Sequence, residues 1–177
     1  MNPVIQWATP IIVGILTFFG GRLFERRRIA NQNRRELLEP IEAWIEKASR
    51  LIGIVRDDIS AVSLGLPQPV GYSMQERIET SREMGENKEK VLGILNSTAL
   101  QTRGTKKLSD SLRDSVINLS NIIERGYLQS NSRMLEAMNA GEDPSDDIMS
   151  LVQTTLLANV IIQEAHGTIA ELRTRFS

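Results

Sequence analysis

Cysteine is absent from the 177 residues, and histidine occurs once, as His166. Without thiolates the chain has no disulfide framework, iron–sulfur cluster or thiolate zinc site to build. A single imidazole also removes the di-iron sites of helical bundles, which need inward-facing Glu-x-x-His pairs. The residue three before His166 is Gln163, and Glu164, two before it, belongs to another helix face. Ser/His/Asp chemistry would have to use His166 as its base, and none of the serines stands in a strand–turn–helix elbow. The one adjacent glycine pair, Gly20-Gly21, is not a phosphate loop. Asp143, Asp146 and Asp147 lack the glycine and terminal glutamate of a calcium loop. Aromatic residues make up only 5%, and no alternating strand pattern, internal repeat or low-complexity tract appears. These absences point to a protein that is not an enzyme and has no cofactor, metal or small-molecule substrate.

Charge is missing where the sequence is most distinctive. Met1 to Gly21 carries no charged side chain, and Arg22, Arg26, Arg27, Arg28, Arg34 and Arg35 follow. As a helix, these 21 residues would span about 31 Å, close to the thickness of a bilayer hydrocarbon core. A cleaved signal peptide would put its positive charge before the apolar stretch, and here the order is reversed. The expectation is a single transmembrane anchor at 1–24, a basic juxtamembrane collar helix at 25–38, and a helical bundle at 39–177. By the positive-inside rule the arginines hold the bundle in the cytoplasm, with the N-terminus outside the cell (inner) membrane.

Residues 22–35 hold six Arg and one Glu, a net charge of +5, whereas 36–177 hold 15 basic and 21 acidic residues, a net charge of −6. A basic collar beside a membrane span attracts anionic headgroups, so membrane lipids are expected partners and nucleic acid is not. Pro10, Gly14, Thr17 and Gly21 recur at spacings of 4, 3 and 4. That small face suits close helix approach in lipid, with Gly14, Thr17 and Gly21 the expected interface to another copy or another membrane protein.

Beyond the collar the apolar period is helical throughout. Leu37, Ile41, Trp44, Ala48, Leu51 and Val55 alternate spacings of 4 and 3, widened by Ile45, Ile52, Ile59 and Val62. Pro40 either opens a new helix in its first turn or kinks a continuous one. Prolines and glycines at 65–71 form a loop, followed by a weaker amphipath from about 74 to 100 with Met74, Ile78, Met84, Val91, Leu92, Leu95 and Ala99. A turn at 102–105 precedes a third helix with Leu108, Leu112, Val116, Leu119, Ile123 and Tyr127, continuing to Met134 and Met138. Gly141 suits a left-handed helix end, and Asp143-Pro144 a helix start. Leu151, Thr155, Ala158, Ile162, Ala165, Ile169, Leu172 and Phe176 make a fourth stripe.

Four such helices with short connections predict an all-α chain, an N-terminal transmembrane helix followed by an antiparallel four-helix bundle. An extended hairpin that completes its core by oligomerising is the alternative. On the fourth helix Ile148, Leu157, Val160 and Ile161 are surplus to the stripe and mark an expected protein-interaction surface. The acidic pairs Asp57-Asp58 and Asp146-Asp147 read as solvated or dipole-facing groups. The functional expectation is a scaffold or regulator of a membrane-associated assembly. A membrane-perturbing effector acting through anchor oligomerisation, or a helical signal relay, are the alternatives. Replacing Gly14 and Gly21 by Leu should weaken detergent-stable association, read as a loss of oligomer mass; unchanged assembly would show that this face is idle.

Overall fold

The proline at position 40 decides where the first helix starts. The computed structural model describes residues 35–63, 74–127 and 140–176, together with Glu25, Arg28, Ile29, Gln32, Ser130, Arg133, Met134, Glu136 and Ala137. The expected anchor, with Gly14, Thr17 and Gly21, and the collar residues Arg22, Arg26, Arg27 and Arg34 lie outside the described residues. Arg28 and Arg35 lie within them, helical and exposed. After Glu36 the chain makes a turn at Leu37-Leu38, and helix α1 runs Glu39–Ser63. Pro40 therefore sits in a first turn, where its missing N–H leaves no partner unmet. The Leu38 N–H donates to the Arg35 carbonyl and the Glu42 N–H to that of Leu38, each at 2.9 Å, so the helix restarts here. Leu38 takes the fully buried place and Leu37 is half-buried.

Helix α1 buries Ile41, Trp44, Ile45, Ala48, Leu51, Ile52, Val55 and Ile59. Asp58 lies on the same stripe, at the next heptad step after Leu51 and Val55, and it is 3% exposed. A buried carboxylate needs a partner, and Arg77 of helix α2, Met74–Leu95, supplies one. Its Nη2 donates to Asp58 Oδ1 at 3.0 Å and its Nη1 to Oδ2, a two-point clamp. Asp58 is thus a buried ion-pair residue rather than a solvated acid, while its neighbour Asp57 is exposed.

Helix α2 has a thin apolar stripe, although the last helix, Ser145–Arg175 and apolar on two faces, is the less amphipathic of the two. Met84, Val91 and Leu95 are buried, but Ile78 is 55% exposed and is not a core residue. The helix also stops at Leu95, short of the expected 100, because side chains beyond it satisfy its last carbonyls. Gln101 Nε2 and Ser109 Oγ donate to the Leu95 carbonyl at 3.0 and 2.7 Å, and Thr105 Oγ1 donates to that of Leu100 at 2.6 Å.

Helix α3 runs Lys106–Asn121 and widens into a π-helical turn over Ile122–Tyr127. Its apolar residues recur mostly every fourth position, a drift of about 40° per step against a 3.6-residue period. The wider turn takes up that drift, and Met134 beyond it is again fully buried. Gly141 has φ +72°, the left-handed conformation expected of a helix end. Asp143 stands just before helix α4, Ser145–Arg175, where its Oδ1 accepts the Ser145 N–H at 3.0 Å and the Ser145 hydroxyl. Those two bonds hold the Asp143 carboxyl below its ordinary value of 3.8.

All eight residues of the fourth stripe, Leu151 through Phe176, are buried. Helix α1 packs on α2 and α4, α3 packs on α2 and α4, and the π turn packs on α3 and α4. One hydrophobic cluster draws on all four helices, and no strand occurs among the described residues. The chain is all-helical and bundle-like. Asp58→Ala should cost about 3–5 kcal/mol by stranding the Arg77 guanidinium, while replacing both partners by apolar residues of similar volume should cost far less; urea unfolding of the single and double variants separates the two.

Candidate functional site

Helix α4 carries a second seam. From Met149 the spacing 4, 3, 4, 3 leads through Gln153, Leu156, Val160 and Gln163, and the same rhythm reaches Thr174 without meeting a charged residue. At 100° per residue this line lies about 180° from the buried stripe. Met149, Leu156 and Val160 are 59%, 62% and 56% exposed, and Leu157 beside them is 55% exposed. An apolar side chain alone at a surface is ordinary, but here Leu156, Leu157 and Val160 cluster in a patch on one helix face, with Met149 two turns away on the same line beyond Gln153.

Of the four residues expected from sequence to form an interaction surface, Leu157 and Val160 belong to this patch. Ile148 and Ile161 do not: both are half-buried and pack against the edges of the core. Met149 and Leu156 are the residues that sequence reasoning missed. Their signal was present in the 4–3 spacing from Met149, which repeats that of the inner stripe on the opposite face. Thr155 is buried within the inner stripe and Asn159 is exposed at its side.

Among the described residues α4 is also the one helix long and apolar enough to cross a membrane, and 28% of its most apolar 18-residue stretch is buried. Length alone does not make it a span. Its longest run without a charged residue, Ile148–Gln163, has 16 residues, or about 24 Å of helix against a hydrocarbon core of about 30 Å. Its inner stripe is also already committed to the core.

A shallow groove of about 200 Å³ lies between α1 and α2, lined by Trp44, Lys47, Glu83, Asn87, Lys90 and Val91 among others. The polar groups of Trp44, Lys47, Glu83 and Asn87 are engaged in the fold. Trp44 Nε1 donates to the Met84 carbonyl at 2.9 Å, and Lys47 Nζ bonds Glu83 Oε2 at 2.5 Å. The Lys47 ammonium, by hydrogen bond and charge, holds the Glu83 carboxyl below its ordinary range. His166 is half-buried on α4, and among the described residues no group of three or more His, Cys, Asp or Glu stands close enough to hold a metal.

No family model, curated protein or solved structure matches this chain. What it does has to follow from its own residues, and among those described the uncovered face of α4 is the feature its own fold leaves unexplained.

Leu156→Glu and Val160→Glu should change stability by no more than about 0.5 kcal/mol, because neither side chain packs inside the chain. Ile162→Ala, on the opposite face, should cost about 2–5 kcal/mol. Thermal or urea unfolding gives both numbers, and a large loss for the two Glu variants would mean that the face is internally packed.

Proposed function

We propose that this chain is a non-enzymatic, single-pass membrane protein whose cytoplasmic four-helix bundle scaffolds or regulates a membrane-associated assembly through the outer face of α4. The observation that carries the reading is the patch of Met149, Leu156, Leu157 and Val160, exposed on a helix whose other face is fully committed to the core. A soluble domain gains nothing from displaying such a patch unless something covers it.

In this reading residues 1–24 anchor the chain and the arginine collar holds its C-terminal domain on the cytoplasmic side, against anionic lipid. The bundle is antiparallel. Support comes from the start of α2 meeting the end of α1 through Arg77 and Asp58. The middle of α2 meets the first half of α1 through Lys47 and Glu83, and the end of α4 meets the start of α1 through Arg173 and Glu42. The small anchor face of Gly14, Thr17 and Gly21 brings further copies or another membrane protein alongside.

A membrane-perturbing effector is the second reading, favoured by the apolar length of α4. It is the weaker one, since inserting α4 would strip the inner stripe from α1 and α3. A rigid signal relay is weaker still, because the turn at Leu37-Leu38 interrupts the helix between collar and bundle.

The full-length chain should be recovered from membranes only with detergent, and Val160→Glu should reduce the mass of the complex that it forms there. Recovery in the aqueous fraction overturns the anchor. An unchanged complex overturns the role of the α4 face.

A further inference from the structure

We propose that the outer seam of α4 is covered by the same seam of a second copy of this chain, the two helices running parallel and in register. The inference deepens the scaffolding reading and rests on it, naming the partner that the exposed face takes. Three observations favour a copy over a lipid surface or an irregular groove.

The first is periodicity. Two helices that pack along a left-handed seam need apolar residues recurring every 3.5 positions on average; Met149, Leu156, Val160 and Ala170 supply them on the outer line, and the residues between them on that line, Gln153, Gln163 and Gly167, carry no charge. Every position on it is exposed, so the whole length is free to pair. A lipid surface does not ask for a narrow seam.

The second is charge. A helix lying on a membrane has Lys and Arg along its flanks. Helix α4 contains no Lys, and its two Arg stand in the last turn, where Arg173 binds Glu42 and Arg175 binds Glu171 and the Gly104 carbonyl. The flank beside the patch carries Glu164 and Glu171 instead, which an anionic bilayer repels.

The third is how the flanks meet. In a parallel in-register pair the position before one seam residue stands beside the position five further on in the partner helix. That places Val152 beside Leu157 of the second copy, Asn159 beside its Glu164 and His166 beside its Glu171. One contact is apolar, and two match an acid with a hydrogen-bonding side chain; along the body of the seam no acid faces another. The antiparallel alternative that stacks Met149 on Val160 brings Glu164 next to the acidic start at Asp146. In the parallel pair the like charges that do approach are the two Asp146, at solvent-exposed helix starts where screening is strongest, while Asp147 is half-buried and pairs with Arg133 of its own chain. Copies anchored in one bilayer with one orientation also present α4 in the same direction, at an effective concentration raised by the tether.

Native cysteine is absent, so single cysteines report this geometry without background. Met149→Cys and Gln163→Cys are made separately in the full-length chain, reconstituted in liposomes, and oxidised; seam residues of paired helices lie within disulfide reach. Parallel pairing links both variants as dimers, and adding Val160→Glu lowers the linked fraction by about tenfold or more, with helix content by circular dichroism unchanged. An antiparallel pair has only one position on its axis, so linkage of one variant alone overturns the proposal. Linkage that survives Val160→Glu is collision, and overturns it equally. If neither variant links and Val160→Glu strips a different protein from the assembly, self-pairing fails while the scaffolding reading stands. If neither links and Val160→Glu alters no association, both fail.

Discussion

Closure of the core by α4 is the constraint on which the rest of the structure depends. Its inner stripe faces α1 on one side and α3 on the other, so the same eight side chains seal both. Small residues at its centre, Thr155, Ala158 and Ala165, alternate with Leu151, Ile162, Ile169 and Leu172, and that alternation lets the neighbouring helices interdigitate. Burying a Leu or Ile contributes roughly 1.5–3 kcal/mol each, a large share of the stability of a domain this size. The end of the helix is tied down twice more, by Arg173 on Glu42 and by Arg175 on the Gly104 carbonyl, while Phe176 fills the base of the core.

Where the apolar stripes cannot close the structure, polar groups do so in pairs. Asp58 and Arg77 occupy a core position between α1 and α2, and the Trp44 indole finds the Met84 carbonyl on the same side. The α2–α3 turn uses Gln101 and Ser109 to meet the Leu95 carbonyl at the end of α2, and Thr105 to meet the Leu100 carbonyl within the turn itself. The helix that lacks a strong stripe, α2, is therefore the one held most by specific hydrogen bonds. Such bonds contribute little net energy, but leaving their buried partners unmet is costly, so they fix position more than they add stability.

Much of this was legible from residue order. The stripes of α1 and α4 and the glycine at 141 follow from spacing and backbone preference, and the structure keeps nearly every position. Ile78 failed because helical spacing locates a face without saying whether anything packs there. Asp58 failed because a carboxylate on a stripe reads as solvated until its partner, 19 positions further on in α2, is known. The π turn came from a drift visible in the spacing of α3, yet spacing alone does not say whether a helix bends, ends or widens. On α4, the surplus apolar residues led to the expectation of an exposed face, but only the backbone separates Leu157 and Val160, which face out, from Ile148 and Ile161, which close the edges of the core.

The Arg173–Glu42 contact joins residues 131 positions apart, and that separation sets an order of events during synthesis. Chains lengthen at roughly 5–20 residues per second, so α1 leaves the ribosome on the order of 5–20 s before the helix that covers it. Throughout that interval the Ile41–Ile59 stripe is open on its α4 side, and the Asp58–Arg77 clamp already allows α1 and α2 to hold each other as a hairpin. The nascent chain thus presents a half-finished apolar surface for seconds, a window in which chaperones that bind apolar surface, or a neighbouring nascent copy, compete with its own last helix.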